Sequence, residues 1–263
     1  MPVLHSQREL RACQRLPFCY LCGEGFGPEA VSTRDHVPPK AIFACKDRVN
    51  PLILPAHTDC NERESVRDEL LGQLVALLHG RRPAPGRLRL RVGWTKLPGS
   101  GGLAAIMYGC DLRPLVWRCV KGFHAALYKE FLLVDGRANV HLPFPEGRRM
   151  QGSKIVFCPI LPQQAIIAEE LRKNRLAKTI DRLTCWAGRC VYECTWVRSD
   201  TGEWLCMFGL RLYNWEHLGD IHHFPRRGCV GLYCASKGRP ALGTRGTTLN
   251  FTCPTQHPLD PFA

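Results

Sequence analysis

Two short clusters of metal-ligating residues frame an acid–base pair near the start of this chain. Cys19-Tyr20-Leu21-Cys22 places two thiols two residues apart, with Gly23 directly after the second. A tight turn at that spacing lets both sulfurs face one ion. His57-Thr58-Asp59-Cys60 repeats the spacing with an imidazole and a thiol. Three sulfurs and one nitrogen make a closed tetrahedral set of the structural kind, so Cys19, Cys22, His57 and Cys60 are read as ligands of one zinc ion. Taken alone, Cys19 and Cys22 also fit a redox dithiol. That alternative leaves His57 and Cys60 without a purpose, and no thioredoxin-like strand–helix pattern surrounds the pair. Between the clusters lies Thr33-Arg34-Asp35-His36-Val37-Pro38-Pro39-Lys40, and Asn61 follows Cys60 at once. An imidazole, with an ordinary pKa near 6.5, can take a proton close to neutral pH. A pure binding module has no need of an acid, a base and an amide beside one another.

The elements that must position these residues are short at first and regular later. Residues 1–17 read as a basic, helical lead-in stopped by Pro17, and residues 18–60 are rich in Cys, His, Gly and Pro. Such a loop-rich stretch has little core of its own, and a bound zinc ion would order it. From Asn61 to His79 the apolar residues Val66, Leu70, Leu71, Leu74, Val75, Leu77 and Leu78 form a helical stripe, ended by Gly80. Residues 81–102, with Arg81, Arg82, Arg87, Arg89, Arg91, Lys96, prolines and a Gly-Ser-Gly-Gly run, read as a boundary. Leu88, Leu90, Val92 and Trp94 alternate with those charges, as in a strand with one basic face. Beyond it the pattern predicts a helix over Asp111–Lys129 with Asp111 as N-cap, a helix opened by Pro162 and running to Leu183, and a hairpin from Cys190–Val197 and Glu203–Tyr213. The expected fold class is therefore α+β: a small zinc-stabilised module over 1–80, a basic linker over 81–102, and an α+β domain of unassigned role over 103–263.

Composition narrows the partners. The 263 residues carry 36 Lys plus Arg against 23 Asp plus Glu, a net charge of +13, which suits a polyanion such as nucleic acid. No apolar run reaches the roughly 20 residues needed to cross a bilayer, so no membrane partner is expected. Met1-Pro2-Val3-Leu4-His5 lacks an apolar signal core, and the expected location is the cytoplasm. Fifteen cysteines in such a compartment point to reduced thiols, some of them serving metal.

The order of the pieces resembles the zinc-containing HNH endonucleases of the ββα-metal class, in the bacterial form with a DHVPPK run. Cys19/Cys22, Asp35-His36, Asn50 before Leu52-Ile53-Leu54, His57/Cys60 and Asn61 follow that family's sequence of parts within 43 residues. The resemblance covers about residues 15–80. It implies a phosphodiester-hydrolysing enzyme in which His36 is the general base, and in which Asp35 and Asn61 ligate a catalytic Mg²⁺ or Mn²⁺ separate from the zinc. It assigns Asn50 to supporting the loop and the base. Two departures stand out: His57 replaces a thiol among the zinc ligands, and Pro51 follows Asn50 where the family has an apolar residue. Lys40 and Arg63 lie near enough in sequence to touch a phosphate. A homodimer is compatible with the class.

The contrasting reading is a zinc module that binds nucleic acid or protein without catalysis. It accounts for the zinc ligands and the charge equally well; Asp35, His36 and Asn61 separate the two. Cys185, Cys190, Cys194 and Cys206 lack C-x-x-C spacing and read as buried thiols, His222-His223 as loop, and His124 as a partly buried packing residue in a helix.

Overall fold

The computed structural model describes residues 2–27, 32–78, 91–96, 103–108, 113–133, 138–141, 147–150, 154–157, 162–198, 204–212 and 229–234. Strand β1 (Val3–Leu4) leads into helix α1 (Gln7–Ala12). Ser6 caps that helix reciprocally. Its hydroxyl accepts from the Glu9 N–H at 3.3 Å, and the Glu9 carboxylate accepts from the Ser6 N–H at 2.9 Å. Leu10 on the inner side is buried.

β2 (Ser32–Val37) and β3 (Leu52–His57) form an antiparallel ribbon, with Asp35 opposite Leu54 and His36 opposite Ile53. Side chains alternate along a strand, and Asp35, Val37, Leu52, Leu54 and Ala56 make its buried face. Helix α2 (Thr58–Leu78) begins on the residue after β3, three positions ahead of the start at Asn61 expected from the sequence. The order is thus ribbon then helix.

In the stretch read as a boundary, β4 (Arg91–Lys96) pairs with β5 (Leu103–Tyr108). Helix α3 (Arg113–Tyr128) follows; Asp111, its expected cap, lies outside the described residues. Then come β6 (Asn139–His141), the paired strands β7 (Gly147–Met150) and β8 (Lys154–Phe157), and helix α4 (Pro162–Leu176). β9 (Asp181–Cys185), β10 (Cys190–Arg198), β11 (Trp204–Leu212) and β12 (Cys229–Cys234) complete a six-stranded sheet ordered β1-β9-β10-β11-β12-β6. The hairpin expected from Cys190 onward is the β10–β11 pair, Cys190 facing Leu212.

The helix opened by Pro162 is shorter than its expected end at Leu183. Lys178 takes a left-handed conformation (φ 56°), and Thr179 folds back on Asn174 through both its N–H, at 2.8 Å, and its hydroxyl, at 2.8 Å. Asp181, Leu183 and Cys185 are then buried in alternation, the period of a strand. Basic charge on the helix hid this change of period.

Among the described residues, one core cluster joins the N-terminal ribbon to the strands as far as β12. It runs from Leu10, Tyr20, Val37 and Leu54 through Phe123 to Tyr192, Phe208 and Tyr233. Helix α3 is the shared wall. At Gly122 it lies so close to the ribbon that an added Cβ would meet Val37 Cγ1 at 2.6 Å and Leu54 Cδ1 at 3.2 Å. His124, expected as a packing residue, is fully buried and doubly bonded, to the Tyr233 hydroxyl at 2.9 Å and Glu130 at 2.8 Å. Cys185, Cys190, Cys194 and Cys206 are buried thiols, as read from the sequence. The pair His222-His223 lies outside the described residues. Among the described residues, no helix is long and apolar enough to cross a membrane.

Candidate metal centre and the Asp35–Asn61 cluster

Cys19 and Cys22 sit on a tight turn closed by two backbone bonds: Gly23 N–H to Cys19 O at 2.8 Å, and Cys19 N–H to Glu24 O at 2.8 Å. Gly23 holds φ 87°, a conformation that glycine adopts without strain. His57 ends β3, and Cys60 lies in the first turn of α2, so the strand–helix junction itself aims the second pair at the first. All four ligand atoms lie within 4.8 Å of one another. Cys22 Sγ is 3.4 Å from His57 Nδ1, close to the roughly 3.5 Å edge expected for sulfur and nitrogen on a tetrahedral zinc ion. The His57 backbone N–H points at Cys19 Sγ at 3.3 Å, and Arg63 Nη2 reaches Cys60 Sγ at 3.7 Å; such donors hold metal-bound thiolates in place. Burial and the neighbouring Cys19 and Cys22 sulfurs push the Cys60 thiol up to about 11. Three sulfurs this close can all be thiolates only with a cation among them. The residues fit a metal such as zinc.

Asp35 and Asn61 are also brought together, but around a guanidinium. Arg118 reaches in from α3 and is only 3% exposed. Its Nη2 donates to Asp35 Oδ2 at 2.6 Å and to Asn61 Oδ1 at 2.9 Å. Its Nη1 donates to Asp68 Oδ1 at 2.5 Å and its Nε to the Tyr20 hydroxyl at 3.2 Å. The Tyr20 hydroxyl in turn donates to Asp35 Oδ2. Burial pushes the Asp68 carboxyl up to about 7, against the pull of Arg118. The Arg118 guanidinium is held above its ordinary range by Tyr20, Asp35 and Asp68, against a large desolvation penalty. A divalent ion bound to both Asp35 Oδ2 and Asn61 Oδ1 would need the gap that Nη2 fills. As folded, this oxygen pair does not fit the catalytic Mg²⁺ or Mn²⁺ that the family resemblance implies.

His36 lies on the other face of the ribbon. It is half-buried and stacks on Trp186 with ring centroids 5.8 Å apart. Burial, and then Lys40, Arg34 and Arg48, hold its pKa below 6.5, with Asp35 pulling the other way. Asn50, with φ 52°, forms the turn before β3, and its backbone carbonyl accepts the Trp186 backbone N–H at 2.9 Å. Lys40 is exposed on the same loop system. Arg63 bonds the Asp59 carbonyl at 3.1 Å, so it belongs to the metal-binding turn before it belongs to any substrate.

Tyr20, Asp68, Arg118 and Trp186 were not singled out in the sequence. Arg118 did leave a trace, since it interrupts the apolar stripe Leu115, Val116, Cys119, Val120 of α3 with a charge. Beside this cluster a cleft of about 590 Å³ opens between α2 and α3, lined by Arg63, Arg67, Arg113, Lys121 and Trp117. No family model, no curated protein and no solved structure matches this chain.

Proposed function

We propose that this chain is a zinc-stapled endonuclease of the HNH type that hydrolyses phosphodiester bonds of nucleic acid, DNA in the first instance, with His36 as proton acceptor. The observation that carries it is the setting of His36: a half-buried imidazole stacked on Trp186 at 5.8 Å, whose pKa burial and then Lys40, Arg34 and Arg48 hold below 6.5. A neutral imidazole accepts a proton, and the same three cations attract a phosphate. Zinc on Cys19, Cys22, His57 and Cys60 supplies folding stability to the ribbon–helix unit and takes no part in the hydrolysis.

In the reaction, a water hydroxyl hydrogen passes to the His36 ring as the water oxygen forms the new bond to phosphorus. The bond to one ester oxygen breaks, and that oxygen leaves to be protonated by solvent. Lys40, Arg34 and Arg48 oppose the charge that builds on the phosphate. Trp186 keeps the imidazole in one orientation. Asp35 and Asn61, committed to Arg118, anchor β2 to α2 and α3, so their part is positional.

The alternative, a zinc module that binds nucleic acid without cutting it, draws on one specific observation: Arg118 fills the space between Asp35 and Asn61. The deciding experiment is incubation of supercoiled plasmid, and separately of RNA, with wild type and His36→Ala matched for zinc content. Cleavage by wild type that disappears in His36→Ala supports hydrolysis. Salt-dependent binding by both proteins with cleavage by neither moves the assignment to the binding module.

A further inference from the structure

We infer that the Arg118 guanidinium is the resident cation of the Asp35–Asn61 oxygen pair, standing where the HNH resemblance calls for a divalent ion. The location of that seat rests on the HNH reading; the occupancy rests on geometry alone. Nη2 is shared between Asp35 Oδ2 at 2.6 Å and Asn61 Oδ1 at 2.9 Å. A divalent ion takes carboxylate and amide oxygens at about 2.1 Å, so it would occupy the same gap, in contact with a positive charge. Room cannot be made by a tilt of the side chain while α3 stays in place. Nη1 and Nε are tied to Asp68 and Tyr20, so every nitrogen of the guanidinium has a partner. The α3 backbone that carries it is pressed against Val37 and Leu54 one turn later, at Gly122. Asp35 Oδ2 is itself used twice, by Arg118 and by the Tyr20 hydroxyl, which leaves little lone-pair capacity for a metal.

The arrangement does the structural work of a metal with a covalently attached cation. A planar fork of N–H donors joins β2 through Asp35, the first turn of α2 through Asn61, its third turn through Asp68, and the first metal-binding turn through Tyr20. The thiolate set would take a cation of its own, and the oxygen set has Arg118.

The test uses the full-length, zinc-loaded protein and Mn²⁺ as the probe, with free Mn²⁺ followed by electron paramagnetic resonance. Wild type is expected to take up no more Mn²⁺ than Asp35→Asn, whereas Arg118→Gln gains one Mn²⁺ per chain that Asp35→Asn/Arg118→Gln lacks. Uptake of one Mn²⁺ per chain by wild type, abolished in Asp35→Asn, overturns the inference. So does a folded Arg118→Gln that binds none, because the oxygens would then be no cation seat. Where Arg118→Gln fails to fold, the wild-type titration decides alone. The outcome is separable from the fate of the nuclease assignment. Wild type that cuts nucleic acid and binds Mn²⁺ through Asp35 overturns the inference and keeps the nuclease; wild type that does neither keeps the inference and overturns the nuclease.

Discussion

Replacing Gly122 by alanine tests whether the fit of α3 against the ribbon is what delivers Arg118 to Asp35. Two effects oppose each other. Alanine in a helix interior is favoured over glycine by about 1 kcal/mol. The new Cβ, however, would stand 2.6 Å from Val37 Cγ1, 3.1 Å from Val37 Cγ2 and 3.2 Å from Leu54 Cδ1. Val37 and Leu54 are both buried, and a β-branched valine has few rotamers to retreat into. Overpacking of this kind costs about 1–3 kcal/mol, so Gly122→Ala should lose up to about 2 kcal/mol net in urea unfolding. Arg118 lies four residues earlier on the same helical face. A shift of α3 by a few tenths of an ångström therefore lengthens its bonds to Asp35 and Asn61 and raises Mn²⁺ uptake above the wild-type level. Gly188→Ala is the control. It carries left-handed strain at φ 85°, but nothing lies within 4 Å of its Cβ, so it should change stability by about 1–2 kcal/mol without changing Mn²⁺ uptake. A Gly122→Ala protein that is more stable than wild type would refute the reasoning, since only the helix-propensity gain would then be left.

Cys60→Ser should abolish stoichiometric zinc and lower the melting temperature as far as chelator treatment lowers that of wild type, while the exposed Cys45→Ser leaves both unchanged; metal analysis and thermal melting check this. Cleavage should require neutral His36, so activity falls as pH drops through a value below 6.5; an acid limb centred above 6.5 contradicts the environment described for it. Asp68, near 7 in the folded state against about 3.9 unfolded, binds its proton more tightly when folded. Its contribution is full below about 3.9 and is lost as pH rises through 7. Asp68→Asn removes that dependence, so the variant should gain on wild type in denaturant unfolding between pH 4 and pH 8, and a constant difference would count against the shift.

The metal-binding set was legible because its geometry is local. C-x-x-C on a turn and H-x-x-C across a strand–helix junction dictate where four ligands point almost without reference to the rest of the chain. The α+β class was legible from the helical apolar spacing and the Cys190–Tyr213 alternation, whereas β2 and β3 fall in the stretch 18–60 read as loop-rich, and a strand there was expected only from the family resemblance. The end of α4 was not legible, because Lys178 and Thr179 turn the chain through contacts that no periodicity announces. The role of Asp35 and Asn61 escaped as well. Their types suit a hard cation, and the structure brings both to one point, yet the cation there is Arg118, from a helix 57 positions beyond Asn61. Nothing local in either segment encodes that meeting. It follows from one continuous core that packs α3 against the ribbon through Gly122. The environment of His36 has the same origin, since its neighbour Trp186 lies in a turn between β9 and β10, tied back by Asn50. The sequence by itself determined which residue types suit metal and proton chemistry and where the main helices lie. Only the tertiary structure decided which of those groups meet, because a charge in a buried face is satisfied by whatever the packing brings within hydrogen-bond reach.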